Sequence, residues 1–397
     1  MKKFALLAML AAGCATAQPT QLTTEQKEMA QAGNDFAFRL LQQVDRAENG
    51  DWFVSPMSLQ FLLDVILNGA GGETAEEIAR TLGCDVAQLN AINEYSHLML
   101  DRLGKLDPAT KLTIGNAVFV NKIYPIDKNF KNLVEKEYYA EVKNLDFTKQ
   151  DASLKAINGW CSKQTNGLIP QVLGSIEPSM FAYLLNALYF KGSWTYKFNK
   201  GWTEERTFHL ESGDERKVMM MEKERKYYYG ENELYKKIRI PYGSGEFCMV
   251  VLLPKEGHTA TEVLGLLNTD SWKEAYSSMS YEKVNLWLPR FESKYHVKLN
   301  DILSEMGMAR SFKIGQANFK AMSPNADYLD FIQQDTVIKV DEEGSEAAAV
   351  STAGMAGTTA VPIQDPIYEF HADHPFLYFI VEATTKAVIF GGCYTGK

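Results

Sequence analysis

Six histidines are the first residues to test for chemistry: His97, His209, His258, His296, His371 and His374. None belongs to an H-E-x-x-H pair, which would set two imidazoles on one helix face to hold zinc. His371 and His374 stand at the start of a strand-like run and match no metal-ligand spacing. Nucleophile arrangements fail as well. There is no G-x-S-x-G elbow, no Walker loop and no G-x-G-x-x-G turn. Ser280-x-x-Lys283 fits the S-x-x-K pattern, but its partner motifs are missing, and so short a pattern arises by chance. Acidic residues are too numerous for one pair to stand out as an acid/base dyad. Cys84, Cys161, Cys248 and Cys393 lie far apart with no C-x-x-C spacing, so zinc and redox motifs are absent and buried free thiols are expected. No residue is assigned to catalysis, to a metal or to a cofactor.

Composition narrows the function further. The chain has 397 residues, 46% of them hydrophobic, ample for a large core. Its formal charge is −9 and no sustained Lys/Arg run is present, which excludes the electrostatic footprint of a nucleic-acid binder. Lys2 and Lys3 precede a nine-residue apolar stretch, Phe4 to Ala12, too short to span a bilayer and suited to an export signal. Two processing sites follow. Ala15-Thr16-Ala17 is an A-x-A site that makes 1–17 the signal peptide. Ala11-Ala12-Gly13-Cys14 is similar to a bacterial lipobox that makes it 1–13, with Cys14 as a lipid anchor. The expectation is an exported protein, in the extracellular space, at the cell surface or in the periplasm, with 18–397 as a single domain.

The elements that position any site are partly legible. Ser55-Pro56 is an N-cap followed by Pro at N1, and Leu59 to Leu67 is apolar almost all round, so a buried helix is expected there. Thr74-Ala75-Glu76-Glu77 fits a capping box that opens another helix. Phe181 to Phe190 and Phe247 to Leu253 are apolar runs that read as central strands. Val284, Leu286 and Leu288 alternate with Asn285 and Trp287. Phe376 to Val381 and Ala387 to Phe390 flank a short turn and read as a closing hairpin. Helices first and antiparallel strands later imply an α+β fold.

One segment fits no ordinary element. Residues 344–366 are small and polar, GSEAAAVSTAGMAGTTAVPIQDP. A loop of this length inside a compact domain is usually functional or disordered. Strongly apolar residues follow it and end the chain, so one fold holds both of its ends.

Several blocks in order now resemble the serpin family, from about Phe36 to Cys393. They are Phe53-Val54-Ser55-Pro56-Met57-Ser58, Asn68-Gly69-Ala70, Thr74 to Ile78, Ile157-Asn158-Gly159-Trp160, Thr165 to Ile169, Asn186 to Trp194, Leu288-Pro289-Arg290-Phe291, Met306-Gly307-Met308, Asp341 to Ala349 and Ala372-Asp373-His374-Pro375-Phe376. The resemblance implies three β-sheets, eight or nine helices and an exposed reactive-centre loop. It implies a metastable monomeric inhibitor of serine-type, and also cysteine-type, proteases. In that mechanism the protease cuts the loop, and the cut loop inserts into the large sheet before the acyl-enzyme is hydrolysed. It places a hinge at Glu342, Gly344, Ser345, Glu346, Ala347, Ala348 and Ala349. It places the sheet's opening points at Ser55, Ser58, Asn186, Gln334, Trp194 and Arg290, and an Arg290–Glu342 ion pair beside the hinge. The family's usual histidine is replaced by Gln334, which can both donate and accept in a polar cluster with Asn186 and Ser58.

The loop itself is suited to insertion. No Pro occurs between Gly344 and Val361, so no ladder N–H is missing. With period two, Ser345, Ala347, Ala349 and Ser351 share one small face, and Glu346 points the other way. Counting from Glu342 puts the reactive bond at Thr358-Thr359. Counting back from Pro375 puts it near Gln364-Asp365, and Met355-Ala356 is a further candidate. The region offers no Arg, Lys or aromatic residue, which favours elastase-like or subtilisin-like targets, with papain-like enzymes as a further class. A strong heparin site is not expected, because Ala91 to Leu106 holds only Arg102 and Lys105 as cations. A non-inhibitory binding protein or chaperone is the alternative. Such members carry charge, bulk or Pro in the hinge.

Overall fold

The computed structural model describes residues 22–330, 332–345 and 366–397. Nine α-helices are formed among them: α1 (Thr24–Ala47), α2 (Pro56–Gly69), α3 (Gly72–Leu82), α4 (Leu89–Leu103), α5 (Lys128–Glu137), α6 (Gln150–Gln164), α7 (Ala260–Gly265), α8 (Thr269–Ser277) and α9 (Asn300–Leu303). The strands are β1 (Trp52–Val54), β2 (Thr110–Asn121), β3 (Glu141–Leu145), β4 (Ala182–Ser193), β5 (Glu204–His209), β6 (Glu215–Glu231), β7 (Tyr235–Tyr242) and β8 (Phe247–Pro254), followed by β9 (Ser280–Pro289), β10 (Phe291–Lys298), β11 (Gln333–Val340), β12 (Gly344–Ser345), β13 (Ile367–His371), β14 (Phe376–Glu382) and β15 (Val388–Tyr394).

The apolar runs become the most covered strands. β8, β14 and β15 are buried at every position and lie side by side in a nine-stranded sheet, order β1-β15-β14-β8-β7-β6-β9-β13, with β5 on β6. The closing hairpin pairs Phe376 with Tyr394, with a register shift between Ile380 and Val381. β4 enters a six-stranded sheet, order β10-β11-β12-β4-β2-β3. One core cluster, which includes Phe119, Phe147, Trp160 and Tyr183, packs α6 against this sheet. The main core, which contains α2, fills the rest, so β4 is covered on both faces.

The fold class is the expected one, with two local differences. The expected three sheets form two hydrogen-bonded networks, because the long β6 pairs with β5, β9 and β7 and so joins the two smaller sheets. The capping box at Thr74 does not form. α3 begins earlier, with Gly71 as its N-cap and no side-chain cap bond. Thr74 is buried and its Oγ1 accepts from Asn318 N at 3.0 Å, while Glu77 accepts from Arg310 N at 3.0 Å. Both side chains are taken by distant backbone, and a tertiary partner outcompetes the local one.

α2 starts as expected. Ser55 is its N-cap, its side chain accepts from Ser58 N, and Pro56 occupies N1. Cys161, Cys248 and Cys393 are buried free thiols, and Cys84 is a partly buried one.

Candidate functional site

The site is the place where the chain leaves β11 and turns back into the six-stranded sheet. Residues 341–344 form a tight turn. Asp341 N donates to Gly344 O at 2.9 Å, Gly344 N donates to Asp341 O at 3.3 Å, and Glu343 N donates to Asp341 Oδ1 at 2.9 Å. Gly344 then pairs with Ser193, and Ser345 pairs with Gly192 on one side and Val340 on the other. Two residues of the expected hinge therefore already lie as a strand between β11 and β4. Among the described residues, no strand pairing joins β11 directly to β4.

Gly344 is required here for two reasons. Its φ is +153°, and an added Cβ would stand 2.1 Å from Gly192 O, a backbone atom that cannot rotate away. Ser345 points inward, as its place on the small face requires. It is buried, and its Oγ lies 2.6 Å from Tyr242 Oη. Tyr242 stacks on Trp194 with ring centroids 4.4 Å apart. Burial pushes the Tyr242 phenol far above its ordinary pKa, so this contact is between neutral hydroxyls.

Trp194 ties the turn down. Its Nε1 donates to Asp341 O at 2.8 Å and its backbone N donates to Glu343 O at 2.9 Å. Phe198 N donates to Glu342 O at 2.9 Å. The expected ion pair is present, with Arg290 Nη1 3.7 Å from Glu342 Oε1. Its two ends differ: the Glu342 side chain is 5% exposed and that of Arg290 is 47% exposed. Glu343, which the sequence reading did not single out, holds two cations, Lys197 at 2.7 Å and Lys200 at 3.4 Å. The hydrogen bond from Lys197 is the main cause that holds the Glu343 carboxyl below its usual range. Lys197 and Lys200 follow closely after the Asn186–Trp194 block, a hint that sequence alone offered. Tyr242, remote in sequence, offered none.

Lower in the sheet, Gln334 is buried and clamps one residue at two points. Its Oε1 accepts from Ser55 N at 2.8 Å, and its Nε2 donates to Ser55 O at 3.0 Å. Ser55 Oγ donates to Ile389 O at 2.7 Å. Ser58 Oγ bonds Asn186 Oδ1, and Asn186 Nδ2 donates to Asn116 Oδ1 at 2.8 Å. The expected cluster is thus two adjoining sets. Gln334 bonds Ser55, and Ser58 bonds Asn186. Arg102 turns inward onto the buried Glu382 at 3.3 Å, so it is not part of a cationic surface on α4. Glu346, Ala347, Ala348, Ala349, Met355, Ala356, Thr358, Thr359, Gln364, Asp365 and Cys14 lie outside the described residues.

The comparisons agree with this architecture. The family model described as "Serpin (serine protease inhibitor)" matches residues 31–395. Serpin B6 of Macaca fascicularis is 33% identical over 379 residues, covering 92% of this chain and 99% of its own length. The leukocyte elastase inhibitor of Xenopus laevis is 32% identical over 385 residues, covering 93% and 99%. The native-state crystal structure of the thermophilic serpin tengpin superposes with a TM-score of 0.84 at 25% identity, covering 95% of each chain. The chain belongs to the serpin family.

Proposed function

We propose that the protein is a one-use inhibitor of serine proteases. The target attacks residues 344–366 as a substrate and forms an acyl-enzyme. The cut segment then inserts between β11 and β4, and the tethered protease is carried off and distorted before water releases it. The observation that carries this reading is β12, a two-residue strand already seated between β11 and β4 with its small side chain inward.

Extending the β12 register gives the inserted strand its neighbours. Glu346 falls opposite Lys191 and Lys339, on the outward face, between two cations. Ala347 falls opposite Phe190 and Ile338, where a larger side chain has no room to spare. Ser351 falls opposite Asn186 and Gln334, so a hydroxyl arrives where two amides can bond it. The β4 register runs out at Met355 opposite Ala182, and this supports the hinge count of Thr358-Thr359 over Gln364-Asp365 as the bond cut, with Met355-Ala356 as the near alternative. The similarity to a protein named leukocyte elastase inhibitor supports elastase-like or subtilisin-like targets.

Incubation with elastase, subtilisin, papain and trypsin tests this, with SDS-stable complexes as the readout. A complex with elastase or subtilisin is expected, together with a C-terminal fragment whose mass begins at Thr359. Replacing Ala347 with Arg should abolish the complex and leave cleavage, because an unpaired buried charge blocks insertion. Cleavage by every enzyme without a complex would instead make the chain a substrate-like binding member of the family. We read residues 1–17, or 1–13 with Cys14 lipidated, as an export signal, and the mass of the mature N-terminus decides between them.

A further inference from the structure

β7 buries a lysine. Lys237 is 5% exposed, although lysine is almost never buried to this degree unless an opposite charge pairs with it. Among the described residues no carboxylate lies within ion-pair distance of its Nζ. The nitrogen donates instead to a neutral group, Ser278 Oγ, at 2.6 Å. Ser278 Oγ gives its own proton to Glu274 O at 2.7 Å, so it only accepts from the lysine. The stem is fixed as well, since a Cβ added at Gly230 would stand 2.9 Å from Lys237 Cε.

Lys237 lines a cavity of about 370 Å³, bounded by the turn from β6 into β7, the link between α7 and α8, and α8 itself. This size is in the range of small-molecule sites. Leu234, Leu266, Leu267 and Ala275 make much of its wall apolar. Such surroundings disfavour an ammonium. Burial pushes the Lys237 amine below its ordinary pKa, and the charge of Glu274 offsets only part of that. A surface lysine at neutral pH is a cation with no lone pair to give, whereas a desolvated one is a nucleophile.

We propose that Lys237 is a covalent binding site for small apolar aldehydes. The nitrogen lone pair attacks the carbonyl carbon, and one amine proton passes to the carbonyl oxygen, giving a carbinolamine. The hydroxyl then leaves with the second amine proton as water, and a C=N bond remains. Nothing is oxidised or reduced. The apolar part of the aldehyde lies against Leu234, Leu266, Leu267 and Ala275. The site is separate from the hinge and does not depend on protease inhibition.

Trapping with cyanoborohydride tests this, because the reagent reduces an imine to a stable secondary amine. The full chain is incubated at neutral pH with benzaldehyde or with formaldehyde, and the alkylated lysines are located by mass spectrometry of peptides. With benzaldehyde, Lys237 should react about tenfold faster than the exposed lysines, since the cavity holds the ring beside the amine. Formaldehyde has no apolar part to hold and should show a smaller preference for Lys237. Lys237→Gln should remove the fast benzaldehyde uptake. Leu266→Ser, at a position 54% exposed on the cavity wall, should slow benzaldehyde at Lys237 and leave formaldehyde unchanged. If Lys237→Gln does not fold, the rates at each lysine of the unaltered protein and the Leu266→Ser series decide the matter. Lys237 reacting no faster than exposed lysines, an equal preference for the two aldehydes, or a Leu266→Ser variant with an unchanged benzaldehyde rate would each overturn the assignment.

Discussion

In the nine-stranded sheet, β14 pairs with β8 from Leu377 to Glu382 and with β15 on its other edge, and every residue of the three strands is buried. In the six-stranded sheet, no strand pairing among the described residues joins β11 directly to β4, and the two residues of β12 lie between them. The chemistry follows the pairing. The closed region is built from Val250, Val251, Phe379 and Ile380, which gain only by staying together. The slot is bounded by contacts that one event can exchange for others: a charged turn above, and the Gln334–Ser55 clamp below. On the proposed function, the closed sheet supplies rigidity, and the slot stores the strand position that cleavage fills.

The largest effect should come from filling that slot. Cutting the 344–366 segment with a protease that is not trapped should raise the melting temperature by about 10 °C or more, since on the proposed function the cut adds a full strand of ladder bonds to a kinetically trapped fold. Circular dichroism melts of intact and cut protein measure it. Equal values would remove the distinction between the two sheets.

A second test uses two glycines with positive φ. Gly344→Ala meets Gly192 O and should cost about 2–4 kcal/mol in urea unfolding. Gly213→Ala, at φ +88° with open space around it, should cost only about 1 kcal/mol. Similar losses at both sites would mean that β12 is not held where it lies.

A third test concerns Asp64 of α2, which is fully buried. Its Oδ2 accepts from Ser96 Oγ at 2.7 Å, and burial pushes its carboxyl up to about 8. The folded state therefore keeps this proton up to about pH 8, while the unfolded chain releases it near pH 4. Between these values the unfolded state binds fewer protons, so this group makes stability fall as pH rises. Asp64→Asn should flatten that dependence in urea midpoints taken at pH 5 and pH 8. An unchanged slope would assign the dependence to other groups.

Charge in the slot gives a kinetic effect. Glu346→Lys would set a third lysine between Lys191 and Lys339 in the inserted strand, and like charges opposite one another oppose pairing. More inhibitor should be consumed per protease trapped, with the melting temperature of the intact form unchanged. The smallest effect is at the turn. Arg290→Ala leaves the Glu342 carboxylate buried and alone, so it should destabilise more than Glu342→Gln, which leaves only a half-exposed arginine; the two should differ by about 1 kcal/mol.

Much of this was written in local pattern. Long apolar runs marked β4, β8 and β14, the first broken only at Asn186, because a strand covered on both faces has little polar side to show. Ser55-Pro56 marked the start of α2 because capping and a fixed φ act within one turn. The family blocks marked the hinge and its Arg290 partner. The Thr74 box misled for the same local reason, since nothing in four residues reveals that Asn318 N will take the hydroxyl. Gln334 was legible as a polar replacement but not in its pairing.

By itself, the sequence determined the α+β class, the order of elements, the absence of any H-E-x-x-H pair or nucleophile elbow, and the small Pro-free face of the 344–366 segment. These depend on composition and on periods of a few residues. Only the tertiary structure decided that Ser345 meets Tyr242, that Glu343 gathers Lys197 and Lys200, and that β6 joins two sheets into one. Each of those joins side chains or strands that only the folded chain brings into contact, and no periodicity along the chain encodes it.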